Sequence, residues 1–117
     1  VKRPIQADEL KRLFDQFNAR YWKGGLPPAD IVLLPAGQAG RIMDGRCDWG
    51  GYDVIDGRPL IELRETDRLV HLGFLKANLL HEMIHHELGP ESGDHRRAAW
   101  RAAVARLSAA GALREVI

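Results

Sequence analysis

The chain has 117 residues, enough for one hydrophobic core and too few for two. Its 17 Lys and Arg nearly balance its 16 Asp and Glu, so the formal net charge of +1 excludes a strong overall field for nucleic acid, membranes or acidic substrates. A single cysteine, Cys47, excludes a disulfide framework and a cysteine-rich zinc ribbon, and no apolar stretch reaches the length of a membrane span. The opening "VKRPIQADELKR" lacks the apolar core of a signal peptide, so a cytoplasmic, monomeric domain spanning residues 1–117 is expected.

Leu10, Leu13, Phe14, Phe17 and Tyr21 recur at helical spacing, with Asp8 and Glu9 at the start and "KGGLPP" at the end, which predicts a first helix over about 7–22. Three short strands follow, at 31–34, about 41–48 and 60–63. Between the last two, "DWGGYDVIDGRP" contains an Asp-Gly pair and reads as a hairpin connection with room for a short extra strand at 51–55. A second helix is predicted over about 69–88, stopped by Gly89 and Pro90. Trp100, Ala103, Val104 and Leu107 share one face of a third helix that starts at His95 and runs to about 109. The order helix, strands, helix, helix indicates an α+β domain.

The second helix carries an unusual stripe. Leu72, Leu75, Leu79, Leu80, Met83, Ile84 and Leu88 cover more than half its circumference, so it should be buried on most sides. Its central polar residues, Asn78, His81, Glu82 and His85, fall at i, i+3, i+4 and i+7 on one narrow line. Two histidines four residues apart project ring nitrogens from successive turns and can share one metal ion at about 2.0–2.1 Å. "HEMIH" is thus the H-E-x-x-H pattern, in which the glutamate lies one step round and reaches a metal-bound water instead of the metal. Given this chain's own His and Glu content, the pattern would arise by accident in roughly one such sequence in a hundred.

A catalytic zinc takes three protein ligands and keeps one position for water. His95 is the first choice for the third, because "GPESGD" gives the chain room to turn back; Asp94, Glu91 and Glu87 are the competitors. His86 points about 100° away from His85 and reads as a surface residue or a support to the ligands, and His71 as structural. Cys47 reads as a buried small side chain.

The chain resembles the SprT-like metalloprotease domain, the family that includes Spartan. "LFDQFNARYWKGGLP" (13–27) is similar to that family's opening helix, "GRC" (45–47) and "IEL" (61–63) to its strand signatures, and "LLHEMIH" (79–85) to its active-site helix. The resemblance covers about residues 10–107 and implies a minimal zincin-like fold, with Zn2+ held by His81, His85 and His95 and Glu82 as the catalytic residue. At the third ligand the chain departs from the family: "GDHRR" stands in place of a Gly-His-Gly-like setting. The family further implies a zinc-dependent endopeptidase that acts in several members on DNA-crosslinked proteins. Any DNA contact would fall to Arg96, Arg97 and Arg101, with Lys2, Arg3, Lys11 and Arg12, although such arginines ordinarily form a solvated helix face.

The expected substrate is a protein or peptide, paired in extended form with an exposed strand edge near 45–54 and so read with little sequence specificity. Tyr52, Arg41 and His86 could reach a cleft, but none is singled out as an oxyanion donor. Two rivals remain. One is a metal-stabilised binding module without chemistry; the other is a hydrolase of small amides or esters, which a deep apolar pocket would favour over the open groove expected here.

Overall fold

The computed structural model describes residues 6–44, 49–65 and 72–116. In chain order these form α1 (Ala7–Trp22), β1 (Asp30–Leu34), β2 (Gly50–Ile55), β3 (Arg58–Arg64), α2 (Leu72–Leu88), α3 (Ala98–Ala109) and a short α4 (Ala112–Val116). The architecture is α+β. Cys47, His71, Lys2, Arg3 and the "GRC" stretch lie outside the described residues, and no helix among those described is long and apolar enough to cross a membrane.

α1 buries Leu10, Phe14, Phe17 and Tyr21, the stripe expected from its sequence. It ends where Lys23 and Gly24 both adopt positive φ (54° and 76°), which lets the chain reverse. Asn18 then fastens the turn: its Nδ2 donates to the Leu26 carbonyl and its Oδ1 accepts from the Leu26 amide, both at 3.0 Å. A single side chain thereby sets the path from α1 into β1.

The sheet has the order β1-β3-β2, with β1 parallel and β2 antiparallel to the central β3. β2 and β3 are joined at Asp56-Gly57, whose φ angles of 52° and 77° are those of a two-residue I′ turn, with Ile55 paired to Arg58. The strand expected over about 41–48 is not seen at its described part, residues 41–44, and the second strand is the 50–55 segment instead. The physical reason is Glu62. Its fully buried carboxylate accepts hydrogen bonds from the amides of Arg41 (2.7 Å), Ile42 and Met43 (both 2.9 Å), so this backbone is satisfied by a side chain and needs no neighbouring strand. Gly40 belongs to the same loop, and a Cβ there would overlap the Glu62 carboxylate.

β3 is consequently buried on both faces. Ile61 and Leu63 join the main core under the helices, while Glu62 and Arg64 point to the loop that follows β1, where Arg64 Nη1 donates to the carbonyls of Pro35 (2.9 Å) and Gln38 (2.5 Å). Replacing Glu62 with Ala would strand three loop amides and open a void behind the sheet. Urea unfolding of Glu62→Ala should show a loss of about 3 kcal/mol or more, and a loss below about 1 kcal/mol would mean that the loop amides find other partners.

α2 lies across the sheet and is buried along Leu75, Leu79, Leu80, Met83 and Ile84. Two glycines permit the close approach of β2: a Cβ at Gly51 would press on Ile42, and one at Gly50 would come 2.8 Å from Glu82 Oε2. α3 starts at Ala98 rather than at His95, because residues 89–97 are needed for the return loop. α4, which the sequence reading did not include, folds back against α2 and α3 and buries Ala112.

Candidate metal centre

His81 and His85 stand on successive turns of α2, half-buried, with ring centroids 5.0 Å apart. The loop after α2 brings the third imidazole. Gly89 takes φ 98° and donates its amide to the His85 carbonyl at 2.7 Å, ending the helix; the Arg97 amide closes on the Asp94 carbonyl at 3.2 Å. Between these two turns His95 is carried back over α2, its Nε2 3.1 Å from His85 Nε2. One ring nitrogen from each of His81, His85 and His95 lies within 4.8 Å of the other two, a grouping positioned to bind a metal ion.

The donor set fits such an ion. Nitrogens bound tetrahedrally at about 2.0–2.1 Å stand roughly 3.3–3.4 Å apart, close to the observed His85–His95 separation, and the exposed His95 ring is free to close the wider gap. Burial, followed by the charge of His95, holds His81 below the usual histidine range. His85 is pushed down to about 4, by burial first and then by His81 and His95. Both rings are therefore neutral near pH 7, the form in which imidazole binds metals.

Ser92 decides which nitrogen of His85 is bare. Its hydroxyl donates to the Gly89 carbonyl at 2.6 Å, so its single proton is committed. The 2.9 Å contact with His85 Nδ1 must then be a donation from the ring, which leaves the Nε2 lone pair facing His81 and His95. Ser92→Ala is expected to weaken divalent-metal affinity by about 10–100-fold with the metal-free fold intact. Titration against a competing chelator checks it, and an unchanged affinity would mean that the ring is oriented without Ser92.

Trp100 of α3 forms the floor of the centre. Its ring centroid is 4.8 Å from that of His81, 4.4 Å from His85 and 4.3 Å from His95, so one indole packs against all three imidazoles. Sequence reasoning assigned Trp100 only to the core face of the third helix and did not single out Ser92. For Trp100 the available signal was a bulky aromatic in the first turn of the helix that follows the third histidine.

Glu82 is 4% exposed, with its carboxylate against Gly50 of β2. Burial raises its carboxyl to about 7, far above the usual range for a glutamate. It is not one of the three residues of the histidine cluster.

The other candidates are placed elsewhere. Glu87 accepts from Trp22 Nε1 at 2.6 Å and from both Arg106 Nη atoms, at 2.5 and 3.1 Å, tying α1 and α3 to α2. Asp94 accepts from the Arg96 amide and side chain, and Glu91 is exposed; none of these carboxylates joins the histidine cluster. Asn78 donates to the Phe74 carbonyl of its own helix at 2.9 Å. His86 is a correction to the surface reading: it is 7% exposed, its Nε2 bonded to the Pro27 carbonyl at 2.7 Å and its Nδ1 to the Tyr52 hydroxyl at 3.1 Å. The 100° turn from His85 points it into the sheet because α2 is covered on that side too. Tyr52 is engaged there, and Arg41 pairs with Asp56 at 3.4 Å.

Comparison with known proteins gives no match to any protein-family model, curated protein or solved structure. The SprT-like resemblance rests on the motifs quoted above.

Proposed function

We propose that the chain is a zinc-dependent endopeptidase of the H-E-x-x-H type with a minimal zincin-like fold. The observation that carries this reading is the convergence of three imidazoles, two of them neutral and one with its tautomer held by Ser92, beside a buried glutamate with a raised pKa. His81, His85 and His95 would hold the ion. Bound there, zinc supplies Lewis-acid activation of water and of a peptide carbonyl.

Glu82 handles the proton. Its buried carboxylate would accept a proton from the attacking water at one step and return it to the leaving amine at the next, the exchange that general acid–base catalysis requires. Gly50 lets the β2 backbone come up to this carboxylate, and β2 is an edge strand of the sheet among the described residues, so an extended peptide would pair along it. Retention of a general base distinguishes this arrangement from a purely structural zinc site.

A second reading has one observation in its favour. An open groove was expected from the sequence, whereas an apolar hollow of about 330 Å³ lies beside His81 and His95 between α2, α3 and α4. A hollow of that kind also suits a hydrolase of small amides or esters. Arg96, Arg97 and Arg101 are exposed at the start of α3, next to His95, and make DNA-associated proteins the substrate class to try first.

The test is a time course of casein cleavage by the zinc-loaded protein, with and without single-stranded DNA, beside a chelator-treated sample. Zinc-dependent cleavage is the expected result, and a rate that rises with DNA extends it to DNA-bound substrates. A protein that binds zinc stoichiometrically yet leaves casein intact in both conditions would return the site to a metal-stabilised binding module.

A further inference from the structure

His86 stands beside the metal centre without joining it, and its ring connects α2 to two other parts of the chain. The Pro27 carbonyl can only accept, so the 2.7 Å contact is a donation from His86 Nε2. Nδ1 of the neutral imidazole is then an acceptor, and the Tyr52 hydroxyl donates to it at 3.1 Å. Burial, followed by the charge of Asp53, raises the Tyr52 phenol above its usual range and keeps that proton in place. The anchored end of this relay is Pro27, one residue past the turn that Asn18 fastens at Leu26.

We propose that Tyr52 and His86 are positioning residues for the peptidase: their hydrogen bond holds the edge strand β2, along which an extended substrate would pair, at a fixed distance from Glu82 and the metal-binding histidines. The inference rests on the peptidase reading and deepens it. Two observations carry it. Glu82 and His86 stand one turn apart on α2 and meet β2 at Gly50 and Tyr52, which alternate onto the same face of the strand. Four helical residues advance about 6 Å and two strand residues about 6.8 Å, so the two contacts are neighbouring rungs between α2 and β2. The second observation is what β2 lacks. None of its six residues is buried, and at the Glu82 rung it offers a glycine with no side chain to grip the helix. Apolar packing therefore gives this strand little hold on α2, and the Tyr52 rung supplies one. A misplacement of about 1 Å can cost two orders of magnitude in rate, so a bond that touches no reacting atom still governs the step that Glu82 performs.

Tyr52→Phe and His86→Leu each remove the bond while filling the space, and Trp22→Phe serves as a control because it removes the donor to Glu87 elsewhere on α2. All are compared with wild type well below their melting temperatures. With cobalt(II) in the metal site, pseudocontact shifts of backbone amides read where β2 stands relative to the ion, with no substrate present. The β2 amides should move against those of β3 in Tyr52→Phe and in His86→Leu, and stay in place in Trp22→Phe. In the zinc-loaded proteins, kcat for an extended peptide should fall by at least about tenfold in both clasp variants, while the affinity of that peptide for a Glu82→Gln background stays within about threefold. The double variant should lose no more than the worse single one, because both substitutions break the same bond.

Amides of β2 that hold their place in both clasp variants, or losses in kcat that add in the double variant, overturn the proposal and leave the peptidase standing. An equal loss in Trp22→Phe would trace the effect to a general loosening of α2 and overturn it as well. Amides of β2 that move, in a protein whose wild type cleaves no peptide, overturn the peptidase and reduce the Tyr52–His86 bond to a contact that fixes a strand.

Discussion

Glu82→Gln is expected to lower peptide hydrolysis by about 10²–10⁴-fold while leaving zinc content and the fold unchanged. Gln keeps the shape of the side chain against Gly50 but cannot take up a proton, and Glu82 is outside the three-nitrogen cluster, so metal binding should not suffer. Residual cleavage within a factor of three of wild type would assign the proton transfer to another group. The same variant has a second readout that needs no substrate. In the metal-free protein the Glu82 carboxyl sits at about 7, against about 4.5 for an unburied glutamate. The folded state therefore holds this proton more tightly than the unfolded chain does. The stability it contributes is fully present below about pH 4.5 and is lost as pH rises through 7. Gln does not titrate, so the stability of Glu82→Gln relative to wild type should climb across that window and level off above it, by on the order of 3 kcal/mol. The histidine titrations occur in both proteins and cancel in the difference. Parallel stability curves from pH 4 to 8 would show that the carboxylate is better solvated than its burial implies.

His95→Ala should remove the stabilisation that zinc confers while barely altering the metal-free protein. Zinc at a thousandfold over its dissociation constant stabilises a folded site by about 4 kcal/mol, a shift in Tm on the order of 15–25 °C for a domain of this size. His95 is exposed and contributes little besides its nitrogen and its contact with Trp100, so its loss should leave the metal-free Tm within about 3 °C. His86→Ala supplies the opposite pattern. Losing the buried ring that joins the Pro27 carbonyl to the Tyr52 hydroxyl should cost about 2 kcal/mol with or without zinc and leave the zinc-induced shift whole. Differential scanning fluorimetry of the three proteins, each with zinc and with chelator, reads both effects. A zinc shift that persists in His95→Ala would hand the third position to another ligand.

The misread segments share a cause. Arg41, Ile42 and Met43 look like the start of a strand, but their amides are consumed by Glu62, which is twenty residues away and acts from the far face of the sheet. A glutamate inside "LIEL" gives no sign of where its carboxylate goes. The 100° step from His85 alone predicts a surface position for His86, whereas the covering strand β2 and the turn at Pro27 decide its burial.

By itself the sequence determined what local geometry governs. The helical period places His81 and His85 one turn apart with Glu82 a step round, and Asp56-Gly57 dictates the tight turn between β2 and β3, since both depend only on backbone preferences within a few residues. Tertiary structure decided the remainder: the return of His95 over α2, the indole of Trp100 beneath three imidazoles, the Ser92 hydroxyl that exposes His85 Nε2, and the apolar hollow walled by three helices. These are fixed by how separate elements pack and by which buried polar group finds which partner, relations that leave no periodic trace along the chain.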